Sequence, residues 1–126
     1  MKALFTSAAV LLLLLGLGWL IAPEAMLQRW GMEAETNSVF IGRRYAGLLL
    51  GYAVLLWVAR ATPPSEAREA IVVSGIAATL AMTALSVYGA LTGTAGPAIW
   101  ISVAIEVGLA AWFIRAWVGS RRAGGP

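Results

Sequence analysis

The sequence predicts an all-α fold, an integral membrane four-helix bundle, and three observations support this class. The 126 residues are 60% hydrophobic and 12% charged, whereas soluble domains carry about 25% charged residues. Mean hydropathy is +0.83. Four apolar stretches lie at about 3–22, 39–60, 69–91 and 97–118, and each is long enough to cross about 30 Å of hydrocarbon. We expect one domain over 1–119 and a disordered tail at 120–126.

The breaks between the four stretches have the chemistry of helix ends. Pro23 stops the first stretch, TPPSEARE (62–69) separates the second from the third, and GTAGP (93–97) predicts a tight hairpin. Ser65 is positioned as the N-cap of the third helix, with two glutamates in the first turn. The segment 23–37 is the one sizeable outer loop, and its residues Ala25, Met26, Leu27 and Trp30 could form a short interfacial helix. A lid over the bundle is one use for this segment, and a plain connector is the use we favour.

Basic residues predict the orientation. A cytoplasmic N-terminus places six of the nine basic residues inside and leaves Arg29, Arg43 and Arg44 outside, as the positive-inside rule requires. We therefore expect both termini to be cytoplasmic and the protein to be a multi-pass protein of the bacterial cytoplasmic (inner) membrane. A cleaved signal peptide is the alternative for the first stretch, but its apolar region is longer than the usual 7–15 residues.

The amino-acid composition excludes many known catalytic mechanisms. The chain has no Cys and no His, which excludes disulfides, thiolate chemistry, iron–sulfur clusters, Cys-bound zinc and the usual haem ligand. We predict no catalytic residue and no metal site, and no cofactor motif is evident. The net charge of +3 lies outside the apolar runs, so the expected partner is the lipid bilayer and not nucleic acid.

One acidic residue, Glu106, interrupts the fourth apolar stretch. A charge near the bilayer centre costs roughly 2.5–3.5 kcal/mol on insertion scales, so it needs a partner or a use. Arg44 lies about 7 Å inward from the start of the second stretch and Glu106 about 13 Å inward from Pro97, at 1.5 Å per residue. A long arginine side chain suits that difference in depth, and we expect the two residues to pair.

Further polar residues are predicted at a similar depth. The expected cluster adds two hydroxyls and one or more tyrosines to Arg44 and Glu106: Ser86, Ser102, Tyr45, Tyr52 and Tyr88. Three interpretations stay open, namely a structural ion pair, a ligand pocket or proton site, and a contact with another protein.

Glycines predict where helices approach closely. Gly47 and Gly51 form a small-xxx-small surface on the face of Arg44, where another helix could pack. On the third helix, Gly75 shares a face with Thr79, Met82 and Ser86.

The turn GWLIAPEAM and the helix start FIGRRYAGLLLGYAVLLW, in a layout of four short spans, resemble the small DoxX-like bacterial membrane proteins. The resemblance covers most of the chain. It implies a four-helix bundle in the cytoplasmic membrane, and some relatives are linked to thiosulfate and quinone redox chemistry. Sulfur chemistry on this chain is in doubt because it has no Cys.

Three classes of function follow. The first is a binding or accessory subunit that holds a lipophilic ligand, a quinone or a lipid, near Arg44 and Glu106 in the outer half of the bundle. The second is a dimeric proton-coupled small transporter that uses Glu106. The third is a structural or assembly protein with no ligand, in a homodimer or a larger membrane complex. An enzyme is the least supported class, since no nucleophile, metal set or cofactor motif accompanies Glu106.

Overall fold

The computed structural model describes residues 1–123, and within them it contains five α-helices and no strand. The helices are α1 (Lys2–Ile21), α2 (Pro23–Arg29), α3 (Thr36–Ala59), α4 (Glu66–Leu91) and α5 (Ile99–Ala123). All except α2 are long and apolar enough to cross a membrane. The all-helical class is therefore confirmed, with four helices that could span a bilayer. Residues 120–123 were expected in a disordered tail but continue α5; the rest of that tail, 124–126, lies outside the described residues.

Local sequence explains where the helices begin and end. Ser65 is the N-cap of α4, and its hydroxyl accepts a hydrogen bond of 3.3 Å from the backbone N–H of Arg68, which satisfies one of the free donors of the first turn. Pro23 occupies the first turn of α2, where a missing N–H costs nothing. Gly93 follows α4 with φ +71°, a conformation that glycine adopts without strain.

The four long helices form two antiparallel pairs. α1 packs along α3 and α4 packs along α5, while contacts between the pairs are far fewer. Each pair has a glycine at its closest approach: an added Cβ would lie 2.7 Å from the Trp19 ring at Gly42 and 2.7 Å from the Phe113 ring at Gly75. Both rings are buried, so these two glycines set how closely the paired helices approach.

The two pairs join at one end of the bundle. We call this the terminal end, because it holds residue 1 and the last turn of α5. There Phe5, Leu56, Val72 and Phe113, one from each long helix, pack in a single buried cluster, and none is more than 2% exposed. This four-helix junction buries side chains from both pairs together.

At the opposite, loop end, the pairs are less closely joined. The buried cluster there draws on α1, α2 and α3 alone, through Trp19, Leu27, Ala46 and Leu49. One backbone hydrogen bond links the two loops, from the N–H of Gly96 to the carbonyl oxygen of Trp30. The pairs are therefore packed at the terminal end and tied by their loops at the other, with space between them in the middle.

The predicted small-residue surface of α3 makes no close contact with another helix among residues 1–123. In that range, no atom outside the adjoining part of α3 lies within 4 Å of a Cβ added at Gly47 or at Gly51. The close contacts of α3 are made instead by its opposite side, where Gly42, Ala46 and Leu49 meet α1.

We predict that Gly75→Ala destabilises the protein by about 1–3 kcal/mol, because the new methyl group overlaps the buried Phe113 ring. Gly47→Ala makes the same chemical change on an open surface and should be neutral or slightly stabilising through helix propensity. The free energy of unfolding in mixed detergent micelles, followed by circular dichroism, measures both. A loss at Gly47 as large as that at Gly75 would contradict this packing.

Candidate functional site

A cleft of about 370 Å³ lies between the two helix pairs. All four long helices line it, and most of the lining is aliphatic or aromatic. Phe113 and Leu56 belong both to the cleft wall and to the four-helix junction. The junction is therefore the floor of the cleft at the terminal end. A volume of this size falls in the range of about 300–1,000 Å³ typical of small-ligand sites.

The cleft borders the outer surface of the bundle. Leu48 of α3 and Ile105 of α5 line it, and they are 74% and 42% exposed. Leu48 lies near the middle of α3 and Ile105 lies within the first two turns of α5, and both helices are apolar enough to cross a membrane. In a bilayer these side chains would face hydrocarbon, so the cleft would open sideways into lipid.

Glu106 is the only Asp, Glu, Lys or Arg among the residues that line the cleft. Its Oε1 accepts a hydrogen bond of 3.2 Å from the hydroxyl of Ser86, which is itself buried. Its Oε2 is buried and has no hydrogen-bond partner among residues 1–123. A buried polar atom without a partner costs about 1–3 kcal/mol, and such atoms in native proteins call for a specific explanation.

Two tyrosines bridge the helix pairs across the cleft. The Tyr52 hydroxyl lies 2.7 Å from the Ser74 hydroxyl and donates to the Ile71 carbonyl oxygen at 3.4 Å. The Tyr45 hydroxyl donates a weak bond to the Met82 sulfur at 3.9 Å. Since sulfur is a weak acceptor, the Tyr45 hydroxyl is the one more easily turned toward a ligand.

The predicted pair between Arg44 and Glu106 is not formed. The one ion pair within residues 1–123 joins Glu69 and Arg121. Arg44 is exposed and lies about 100° around α3 from Tyr45, which lines the cleft. It shares its face of α3 with the open glycines Gly47 and Gly51.

Other predicted site residues are placed apart from the cleft. Tyr88 is 66% exposed and does not line it. Ser102 lies one turn before Glu106 on α5 and is half-buried, yet it is not among the lining residues. The structure brings Glu106, Tyr45 and Tyr52 together in the cleft and adds Ser86 through its hydrogen bond to the carboxylate.

Sequence reasoning missed Ser74 and the aliphatic walls. Ser74 is adjacent to Gly75, which packs against Phe113 of α5. Both Ser74 and Gly75 line the cleft. The signal available in the sequence was the small-residue spacing of Ser74 and Ala78, one turn apart. The walls from α1 could not be recognised, since α1 is apolar on all sides.

Within the part of the chain that the structure describes, no group of three or more His, Cys, Asp or Glu side chains is placed to hold a metal ion. No protein-family model matches the chain, and no curated protein or solved structure matches it significantly. The DoxX-like resemblance therefore stays a prediction.

We predict that Ser86 and Glu106 are energetically coupled and that Arg44 and Glu106 are not. In double-mutant cycles of unfolding free energy, Ser86→Ala with Glu106→Leu should deviate from additivity by about 0.5–3 kcal/mol. The matched cycle, Arg44→Leu with Glu106→Leu, should add within about 0.3–0.5 kcal/mol. Coupling between Arg44 and Glu106, together with additivity between Ser86 and Glu106, would contradict this arrangement and support the ion pair.

Proposed function

We propose that this protein is a small membrane binding protein, acting as an accessory subunit, that holds a lipophilic ligand in the cleft with the ligand's polar group at Glu106. The observation that supports this most is the buried, unpartnered Oε2 of Glu106 in an otherwise apolar cleft. Ionisable residues inside membranes are costly and mark functional sites by default. A ligand that binds this oxygen would supply the missing hydrogen bond.

The free atom defines the chemistry of the ligand. An ionised carboxylate accepts hydrogen bonds and donates none, so the ligand needs an O–H or N–H group at the end of an apolar body. A quinone in its reduced, quinol form and a hydroxyl-bearing lipid both meet this requirement. An oxidised quinone, which offers only acceptors, would need a protonated Glu106 or the Tyr45 hydroxyl. Arg44, first expected to be the donor, lies outside the cleft.

The sideways opening supports a ligand that arrives through the bilayer. Leu48 and Ile105 border the cleft and are exposed within the apolar spans. The floor at the terminal end is packed by side chains from all four long helices. A water-soluble ligand would have to cross that packing, the loop contacts at the other end or the hydrocarbon, whereas a lipophilic one would partition into lipid first.

A second candidate is a proton-coupled transporter that acts as a dimer. It is favoured by the fact that Glu106 is the only strongly ionisable side chain lining the cleft, because a single membrane carboxylate can exchange a proton for a substrate. The packed floor favours binding over transport, since a transporter must open its site to both sides.

We predict that Ala78→Phe removes the ligand by filling the cleft, because Ala78 lines it and a phenyl ring takes much of the volume. Ala77→Phe is the matched control: both alanines are exposed neighbours on α4, and Ala77 does not line the cleft. Lipids and quinones that copurify with each variant are identified by extraction and mass spectrometry. Titration with short-chain ubiquinol and ubiquinone then compares a donor with an acceptor.

The expected result is a copurifying molecule that is retained by wild type and Ala77→Phe and lost in both Ala78→Phe and Glu106→Leu. Glu106→Leu removes an unpaired buried acceptor but also leaves the Ser86 hydroxyl without its carboxylate partner, so the unfolding free energy of this variant is measured alongside its ligand content. Retention of the same molecule by Ala78→Phe would contradict binding in the cleft. If substrate uptake in vesicles follows a pH gradient and disappears in Glu106→Gln, the transporter is correct instead.

The orientation is also a proposal. The four apolar helices support a multi-pass membrane protein, and the terminal end holds six of the nine basic residues. We propose that the terminal end is cytoplasmic and that the membrane is a bacterial inner membrane.

For this topology, reporters that are active only in the cytoplasm should give signal when fused at either terminus or inserted at 61–65. A reporter inserted at 93–96, at the loop end, should be silent and serves as the control. Signal from 93–96 with none from the termini would reverse the orientation.

A further inference from the structure

A second cavity, independent of the cleft, lies at the terminal end. It measures about 500 Å³, and Met1 before α1 and Pro64 before α4 line part of it. The polar and charged residues that line it belong to the start of α4 and the last turns of α5: Ser65, Arg68, Glu69, Ser120 and Arg121. The two arginines approach it from different helices. Nothing in the proposed ligand binding at Glu106 uses this cavity.

The Glu69 carboxylate positions one of the two arginines. Its Oε1 accepts hydrogen bonds from Arg121 Nε at 3.0 Å, Arg121 Nη2 at 2.8 Å and Trp117 Nε1 at 2.9 Å. The guanidinium carbon of Arg121 also lies 4.6 Å from the centre of the Trp117 ring. Arg121 is thus held by a carboxylate and an indole, although it is 63% exposed.

Both arginines keep N–H groups available for an anion. A guanidinium has five N–H donors. Within residues 1–123, Arg68 uses one side-chain donor, on the Thr62 carbonyl oxygen at 3.1 Å, and Arg121 uses two, on Glu69. The cavity therefore combines two cations with one carboxylate, and the donors that remain suit the oxygens of a phosphate group.

The distribution of charge along the bundle favours the same conclusion. The terminal end carries six basic and two acidic residues, a net charge of +4: Lys2, Arg60, Arg68, Arg115, Arg121 and Arg122 against Glu66 and Glu69. The loop end carries three of each sign and is neutral: Arg29, Arg43 and Arg44 against Glu24, Glu33 and Glu35. An anion near the bilayer surface would be attracted to the terminal end alone.

We propose that this cavity binds the phosphate of an anionic phospholipid headgroup, with Arg68 and Arg121 as its two ligands. The site lies at the ends of three apolar spans, where the acyl chains of such a lipid could run along the bundle. Val72, one turn deeper on α4, lines the inner wall of the cavity. Since Val72 is 1% exposed, the accessible apolar lining comes from Met1 and Pro64, which adjoin the polar residues. This combination matches an amphiphile better than a free ion.

The experiment titrates short-chain phosphatidylglycerol into the full-length protein in detergent, by calorimetry. Short-chain phosphatidylcholine, which has the same phosphate without the net charge, is the lipid control, and inorganic phosphate tests the free anion. The variants are Arg68→Gln and the double Arg68→Gln/Arg121→Gln. Matched controls are Arg44→Gln and Arg43→Gln/Arg44→Gln, which remove the same charge from the loop end.

We expect wild type to bind phosphatidylglycerol more tightly than phosphatidylcholine. Each arginine removed at the cavity should raise the Kd for phosphatidylglycerol about fivefold. The loop-end variants should stay within about twofold of wild type. If the double variant loses helix content, the single variant Arg68→Gln is compared with wild type instead. This variant breaks no ion pair, because Arg68 makes none within residues 1–123. Equal losses in cavity and loop-end variants, or binding of inorganic phosphate as tight as that of phosphatidylglycerol, would overturn the proposal.

Discussion

The four-helix junction at the terminal end is the contact on which the rest of the structure depends. Phe5, Leu56, Val72 and Phe113 are almost fully buried and bring one side chain from each long helix into one cluster. In a membrane such association gains little from the hydrophobic effect and relies on close packing. Gly75 permits that packing, because any side chain there would meet the Phe113 ring.

The cleft is a consequence of joining the helix pairs mainly at one end. Each pair is closely packed along its length, and beyond the junction the pairs are linked by the tyrosine contacts across the cleft and by their loops at the other end. The space between them holds the acidic group of α5, bonded to Ser86 through one oxygen and free at the other. A buried carboxylate oxygen without a hydrogen-bond partner is costly, and under the proposal above the ligand supplies that partner.

The two ends of the bundle differ in charge as well as in packing. The terminal end has a net charge of +4 and a polar cavity, whereas the loop end is neutral and held by aromatic contacts such as that of Trp19 with Tyr45, whose ring centres are 5.9 Å apart. Under the two proposals, the middle of the bundle would bind a lipophilic ligand at Glu106, and the terminal end would bind an anionic lipid headgroup at Arg68.

The sequence by itself determined the all-helical class, the four long apolar helices and the Ser65 cap, because these depend on composition and on contacts a few residues apart. Only the tertiary structure decided which faces meet. Helices with apolar residues on every side, α1 above all, have little periodicity to indicate a partner. Arg44 and Tyr45 lie about 100° apart around α3, and only Tyr45 lines the cleft. The position of a residue along its helix axis therefore could not show that Ser86, and not Arg44, is the partner of Glu106.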